Sequence, residues 1–127
     1  MHKEPKIINL PKNEESRGYL TYIERDLHIP FSIEESNILY NIPESIEGFE
    51  HRIDHKDEFI IPLSGSAEVK LKKNLFEKTF FLNKAYRGLF VPAGMIKTIF
   101  NLSSNAVILK LKSKEVPGIN KPKIQDK

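Results

Sequence analysis

The chain has no cysteine, so neither a disulfide framework nor a thiolate metal site can form. It has no apolar run long enough to cross a membrane, and its N-terminus, "MHKEPKIINLPKNEE", lacks the apolar core of a secretory leader. Cytoplasmic location without membrane contact is the resulting expectation. No stretch of ten or more residues sustains a 3.6-residue apolar period, so helix content should be low. There is no internal repeat, and no linker divides the sequence. These absences leave one domain, 1–127, large enough to bury its own core.

What is present is an ordinary globular mixture, 39% hydrophobic and 29% charged. The net charge of +3 is unevenly placed: from Lys110 onward six lysines face only Glu115 and Asp126. That stretch lacks arginine and interleaved aromatics, so it reads as a solvated basic end and not as a nucleic-acid surface. Residues 113–127 are expected to be irregular, with the domain core at about 5–112. Short segments rich in β-branched and aromatic residues fill the rest: "IINL", "YLTYIE", "NILYNI", "EFIIPL", "AEVKLKK", "LFEKTFFL", "GLFVP", "IKTIFNL" and "AVILKLK". About nine strands bounded by Gly, Pro and Asn turns predict an all-β sandwich or barrel. Pro62 cannot donate to a ladder and should mark a bulge or an edge. The segment "PKNEES" reads as a flexible connection after the first strand.

Chemistry concentrates in "GFEHRIDHKDEFIIPLSGS", residues 48–66, where His51 and His55 stand beside Asp54, Asp57 and Glu58. Such a set can ligate a metal, exchange protons, or form a solvated loop. Glu58 precedes an apolar strand and is equally readable as a surface charge. In "MIKTIF" either Lys97 and Ile99 face inward, or Ile96 and Thr98 do.

Two spacings narrow the choice. His51, Ile53, Glu58 and Gly65 stand as H-x-I-x4-E-x6-G, and Pro92, Gly94, Lys97 and Asn101 as P-x-G-x2-K-x3-N. These resemble the two motifs of the cupin superfamily, jelly-roll barrels whose metal-binding members supply two histidines and a glutamate, then a third histidine. Here the second histidine is Ile53 and the third is Lys97. More narrowly, Arg17, Gly18 and Leu20, the run Ile29-Pro30-Phe31 with Ile33, the stretch Gly88 to Val91, and Ser103-Ser104 resemble signatures of the WxcM-like sugar 3,4-ketoisomerases. That family isomerises dTDP-4-keto-6-deoxyglucose on the way to amino sugars of surface glycans. The similarity spans residues 5 to 112.

The resemblance implies a cupin jelly roll, a nucleotide-linked keto-deoxysugar as ligand, no cofactor, and a homodimer. The dimer would be joined through an N-terminal strand, "KIINL", paired with the other protomer's sheet. The implied catalytic set is His51 as general base, Glu58 holding or tuning it, and Lys97 stabilising an enediolate oxygen or binding phosphate. Arg17, His55 and Arg52 are the implied substrate contacts. No metal is expected, because an ammonium at position 97 repels a cation and only His51 and Glu58 remain of the ligand set. Departures are equally visible: the family's H-A-H-K run becomes "EHRIDHK" after a one-residue insertion, and an aromatic pair becomes Asn37-Ile38. At most one catalytic histidine survives. The alternative reading is a catalytically silent cupin that binds a sugar nucleotide or a protein partner.

Overall fold

The computed structural model describes residues 4–15, 18–24, 28–43 and 49–119, without the side chains of 15 and 49–52. These residues form eleven strands and no helix: β1 (Lys6–Asn9), β2 (Lys12–Glu15), β3 (Gly18–Thr21), β4 (Glu35–Leu39), β5 (Phe49–Ile53), β6 (Lys56–Ser64), β7 (Ala67–Lys73), β8 (Phe76–Leu82), β9 (Arg87–Val91), β10 (Ile96–Phe100) and β11 (Val107–Glu115). One antiparallel sheet runs β1-β9-β6-β11-β4 and a second runs β5-β10-β7-β8, while β2 and β3 pair as a separate ribbon. Among the described residues no helix is long and apolar enough to cross a membrane.

Period-two alternation decides which side chains meet. Ile60, Leu89, Val91 and Ile108 of the first sheet pack against Val69, Leu71, Phe80, Leu82 and Ile99 of the second, which makes the space between the sheets the main core. The intervening positions Phe59, Ile61, Phe90 and Leu111 face the other way. There they build a second core with Leu10 and Ile29, which the N-terminal segment lays over the outer face of the five-stranded sheet. The central strands are thus apolar on both faces, as strands covered on both sides must be.

Two turn features match their residues. The β7–β8 hairpin closes between Lys73 and Phe76 through Asn74, whose φ of 55° an asparagine tolerates. Pro62 lies in a central strand, β6, but beside a register shift: Val107 pairs with Ser64 while Ile108 pairs with Pro62. On its other edge β6 pairs with β9 only from Glu58 to Ile60, so the missing N–H breaks no ladder there.

Several expectations need correction. "PKNEES" contains β2, paired with β3 from Lys12–Thr21 to Glu15–Gly18. In the single chain β1 pairs with β9 at the sheet edge, and pairing with a second protomer remains part of the dimer expectation. The strand read as "AVILKLK" continues to Glu115, so Ser113 and Lys114 belong to the fold and not to an irregular end. Lys110 and Lys112 are no part of a solvated end either: both are buried on β11, between β6 and β4. Residues 120–127 and Arg17 lie outside the described residues.

Candidate active site

β6 carries Glu58 two positions before the core residue Ile60, and β10 carries Lys97 two before Ile99, so both side chains point between the sheets. From opposite sheets they meet: Lys97 Nζ donates to Glu58 Oε1 in an ion pair, with Lys97 2% and Glu58 1% exposed. Burial draws the Lys97 ammonium below the ordinary lysine range, against the resisting charge and hydrogen bond of Glu58. Glu58 Oε2 is buried and has no hydrogen-bond partner among the described residues. The partner the structure gives Glu58 among the described residues is Lys97.

The same alternation brings further charges inward. On β11, Lys110 and Lys112 share the face of Ile108, and their register partners are Asn37 and Glu35 on β4 and Ile60 and Glu58 on β6. Lys112 Nζ donates to Asp54 Oδ2 at 3.0 Å, and Lys56 Nζ to Glu35 Oε1 at 2.8 Å. Asn37 Nδ2 donates to Glu35 Oε2 at 3.0 Å. The hydrogen bond from Lys56, then that from Asn37, hold the Glu35 carboxyl down at about 2. Asp54 loses some of its acidity to burial, yet the hydrogen bond from Lys112 keeps it below the usual carboxylate range. Lys110 is pushed down to about 8 by burial and by neighbouring Lys112. One end of the barrel thus carries alternating ammonium and carboxylate groups, with Lys97–Glu58 deeply buried and Lys56–Glu35 at the solvent-exposed rim, and the other end is hydrocarbon.

The remaining predicted residues fall into place unevenly. His51 and Arg52 lie on β5, whose backbone pairs Arg52 with Lys97 and Phe49 with Ile99, so a bulge occupies the interval that contains His51. Their side chains, and Arg17 altogether, lie outside the described residues. His55 sits in the turn between β5 and β6, half-buried, its carbonyl accepting from Val116 N–H at 2.8 Å; among the described residues its imidazole makes no hydrogen bond or ion pair. Asp57 faces away from the pair. Its carboxylate accepts Ala93 N–H at 2.9 Å, and its own N–H donates to Ser113 Oγ at 3.0 Å, which pins the β9–β10 loop to β6. Asp54 ties the same loop through its carbonyl, which accepts Gly94 N–H at 2.8 Å. No group of three or more His, Asp or Glu side chains is placed to hold a metal ion among the described residues.

Sequence reasoning missed Lys110, Lys112, Asp54, Glu35 and Asn37 as residues of this interior. A signal existed for the first two. In "AVILKLK" the residues Leu109 and Leu111 belong to one face, which leaves Lys110 and Lys112 on the face of Ile108.

A cavity of about 580 Å3 lies along the β9–β10 loop, lined by Phe76, Phe80, Pro92 and Met95 with Lys73 and Lys78; neither Glu58 nor Lys97 lines it. Lys78 Nζ lies 4.9 Å from the centre of the Phe80 ring.

Known proteins agree on what this fold is. The family model described as WxcM-like, C-terminal (FdtA) matches residues 3–116. The TDP-4-oxo-6-deoxy-alpha-D-glucose-3,4-oxoisomerase of Aneurinibacillus thermoaerophilus is 31% identical over 111 residues, 87% of this chain and 79% of that protein. A mutant of the 3,4-ketoisomerase QdtA from Thermoanaerobacterium thermosaccharolyticum, crystallised with TDP-4-keto-6-deoxyglucose, superposes with a TM-score of 0.83 at 25% identity, covering 93% of this chain and 86% of that one. A 3,4-ketoisomerase from Helicobacter canadensis gives 0.81 at 28% identity, covering 92% and 88%. With the two-sheet barrel and the charged interior at the cupin motif positions, these matches place the chain in the WxcM-like family of sugar 3,4-ketoisomerases.

Proposed function

We propose that the chain isomerises a nucleotide-linked 4-keto-6-deoxysugar to its 3-keto isomer by cofactor-free proton transfer. The observation that carries this reading is the Lys97–Glu58 pair, held between the sheets with Lys97 on the strand paired to the one that bears His51. The reaction takes a proton from the carbon beside a carbonyl and returns one to the neighbouring carbon. It needs a base that titrates near neutrality and a donor for the enediolate oxygen. His51 is the base, because imidazole changes charge in the working pH range. Lys97 is the donor: its ammonium sits in a low-dielectric interior, where a hydrogen bond to a developing oxyanion is strong. Arg17, Arg52 and His55 contact the substrate. The aromatic side chains of the cavity and the amines of Lys73 and Lys78 suit a nucleotide base and its diphosphate.

Two relatives named above are a TDP-sugar oxoisomerase and a ketoisomerase crystallised with TDP-4-keto-6-deoxyglucose, so that sugar nucleotide is the substrate to test first. Incubation in deuterated water should place label at C3 of the remaining 4-keto sugar and yield the 3-keto sugar with label at C4. A second reading, a silent cupin that binds a sugar nucleotide without turnover, is favoured by one observation. Lys110 and Lys112 stand buried in the interior, and Ile53 replaces the second histidine. Tight binding of dTDP with no label uptake would decide for it. The functional unit is a homodimer in the cytoplasm. Its support is the outer face of the five-stranded sheet, where Ile38, Tyr40 and Leu63 are exposed beside Tyr19 and Leu20 of β3.

A further inference from the structure

Lys97 satisfies one oxygen of Glu58, and the other oxygen has no donor among the described residues although it is wholly buried. Leaving a buried acceptor unmade costs roughly 1–3 kcal/mol, more when it is charged. As a purely structural device the pair is therefore poor, since apolar side chains of similar volume commonly stabilise as well or better. As a chemical device it is well formed. A carboxylate oxygen that can take a proton stands beside an ammonium that can give one, and a hydrogen bond joins the two groups.

Moving a carbonyl between adjacent carbons requires two proton relocations. One is carbon-bound and is assigned above to His51. The other is oxygen-bound: the hydroxyl that becomes the ketone loses its proton, and the ketone oxygen that becomes a hydroxyl gains one. We propose that Glu58 and Lys97 are the oxygen-to-oxygen proton relay of the isomerisation, an inference that rests on the ketoisomerase reading of this barrel.

The steps balance. His51 removes the C3 proton, electrons move into the C4 carbonyl, and Lys97 protonates that oxygen to give the enediol and a neutral amine. Glu58 Oε2 then takes the O3 proton while protonated His51 returns one to C4, which yields the C3 ketone and the C4 hydroxyl. Glu58 and Lys97 are now a neutral acid and a neutral amine, and the proton passes from Glu58 to Lys97 to restore the ion pair. Nothing is oxidised or reduced overall, and no proton is left over. The buried position that draws the Lys97 ammonium below its ordinary range also makes it the readier acid.

The test separates carbon exchange from carbonyl transfer with TDP-4-keto-6-deoxyglucose in deuterated water, following C3 label and 3-keto product together by NMR. In the wild type both should appear. Glu58→Gln keeps the shape but cannot take a proton, so C3 exchange should persist within about tenfold while product formation falls by about a hundredfold or more. Parallel loss of both, or loss of neither, overturns the relay and leaves the ketoisomerase reading standing. A wild type with neither exchange nor product overturns that reading, and the relay with it. Should Glu58→Gln not fold, the double variant Glu58→Gln/Lys97→Gln removes both charges. The same rise of about a hundredfold in the ratio of exchange to product is expected, and an unchanged ratio overturns the relay.

Discussion

A lysine on a strand is ordinarily a solvent marker, and in this chain three of them, Lys97, Lys110 and Lys112, are buried within one barrel end. Each pulls differently on the fold. Lys97 and Lys112 pair with Glu58 and Asp54, and burial shifts Lys110 to about 8 from its ordinary 10.5. A lysine whose folded value is depressed is charged less readily in the folded state, so between about 8 and 10.5 the unfolded chain binds more protons. Stability should therefore rise with pH through that window. Lys110→Met should abolish the rise and lift Tm at pH 7 by about 3–6 °C, equivalent to roughly 1 kcal/mol for a chain of this size. Thermal melts between pH 6 and 10.5 check both. For catalysis, His51→Gln should lower C3 label exchange by about a hundred- to ten-thousand-fold, the usual cost of removing a general base. His28→Gln is the control. Its Nδ1 only accepts Glu24 N–H at 2.8 Å, ahead of the outer-core residue Ile29, and exchange should stay near wild type.

Among the elements, β6 and β11 organise the molecule, because each is buried on both faces and each brings polar side chains into the barrel at one end only. Their geometry depends on close neighbours. At Gly88 on β9 an added Cβ would stand 2.2 Å from Phe59 Cζ of β6, inside the ring's own volume. Gly88→Ala should cost about 1–3 kcal/mol, the range for overpacking a filled core, and urea unfolding should show it as a lower midpoint at unchanged slope. Because Phe59 neighbours Glu58, the same substitution would also disturb the pair at the site. The loop from β9 to β10 is held by the Asp57 carboxylate and the Asp54 carbonyl, which accept its backbone N–H groups and fix where Lys97 enters the barrel.

At the scale of the whole molecule, β1 completes the edge of its own five-stranded sheet, and apolar side chains stay exposed on that sheet's outer face. Ile38 and Leu63 are exposed on it, and Tyr19, with 68% of its surface exposed, stands on the adjacent ribbon. Exposed apolar side chains gathered on one sheet face are the kind of surface that a second copy covers. Light scattering at micromolar concentration should give twice the chain mass, and a monomer mass would refute the dimer. Leu63→Glu together with Ile38→Glu should convert the dimer to monomer while leaving the melting curve cooperative.

Much of this was legible in the residues. Alternation and turn chemistry gave the all-β class and nearly every strand, Pro62 marked its bulge, and the spacing from His51 to Gly65 and from Pro92 to Asn101 pointed to the barrel and its family. Those properties are local, set within one strand or one turn, so a linear pattern carries them. What the sequence could not decide is which charges share an interior. Lys110 and Lys112 looked like part of a basic end, and β2 like a flexible connection. Lys110 and Lys112 face inward because Leu109 and Leu111 fill the outer core, and the pleat then leaves alternate positions no other direction. Glu58 meets Lys97 because two sheets bring residues 39 positions apart into contact. Only closure of the barrel, with the desolvation that compels buried charges to find opposite partners, makes that choice.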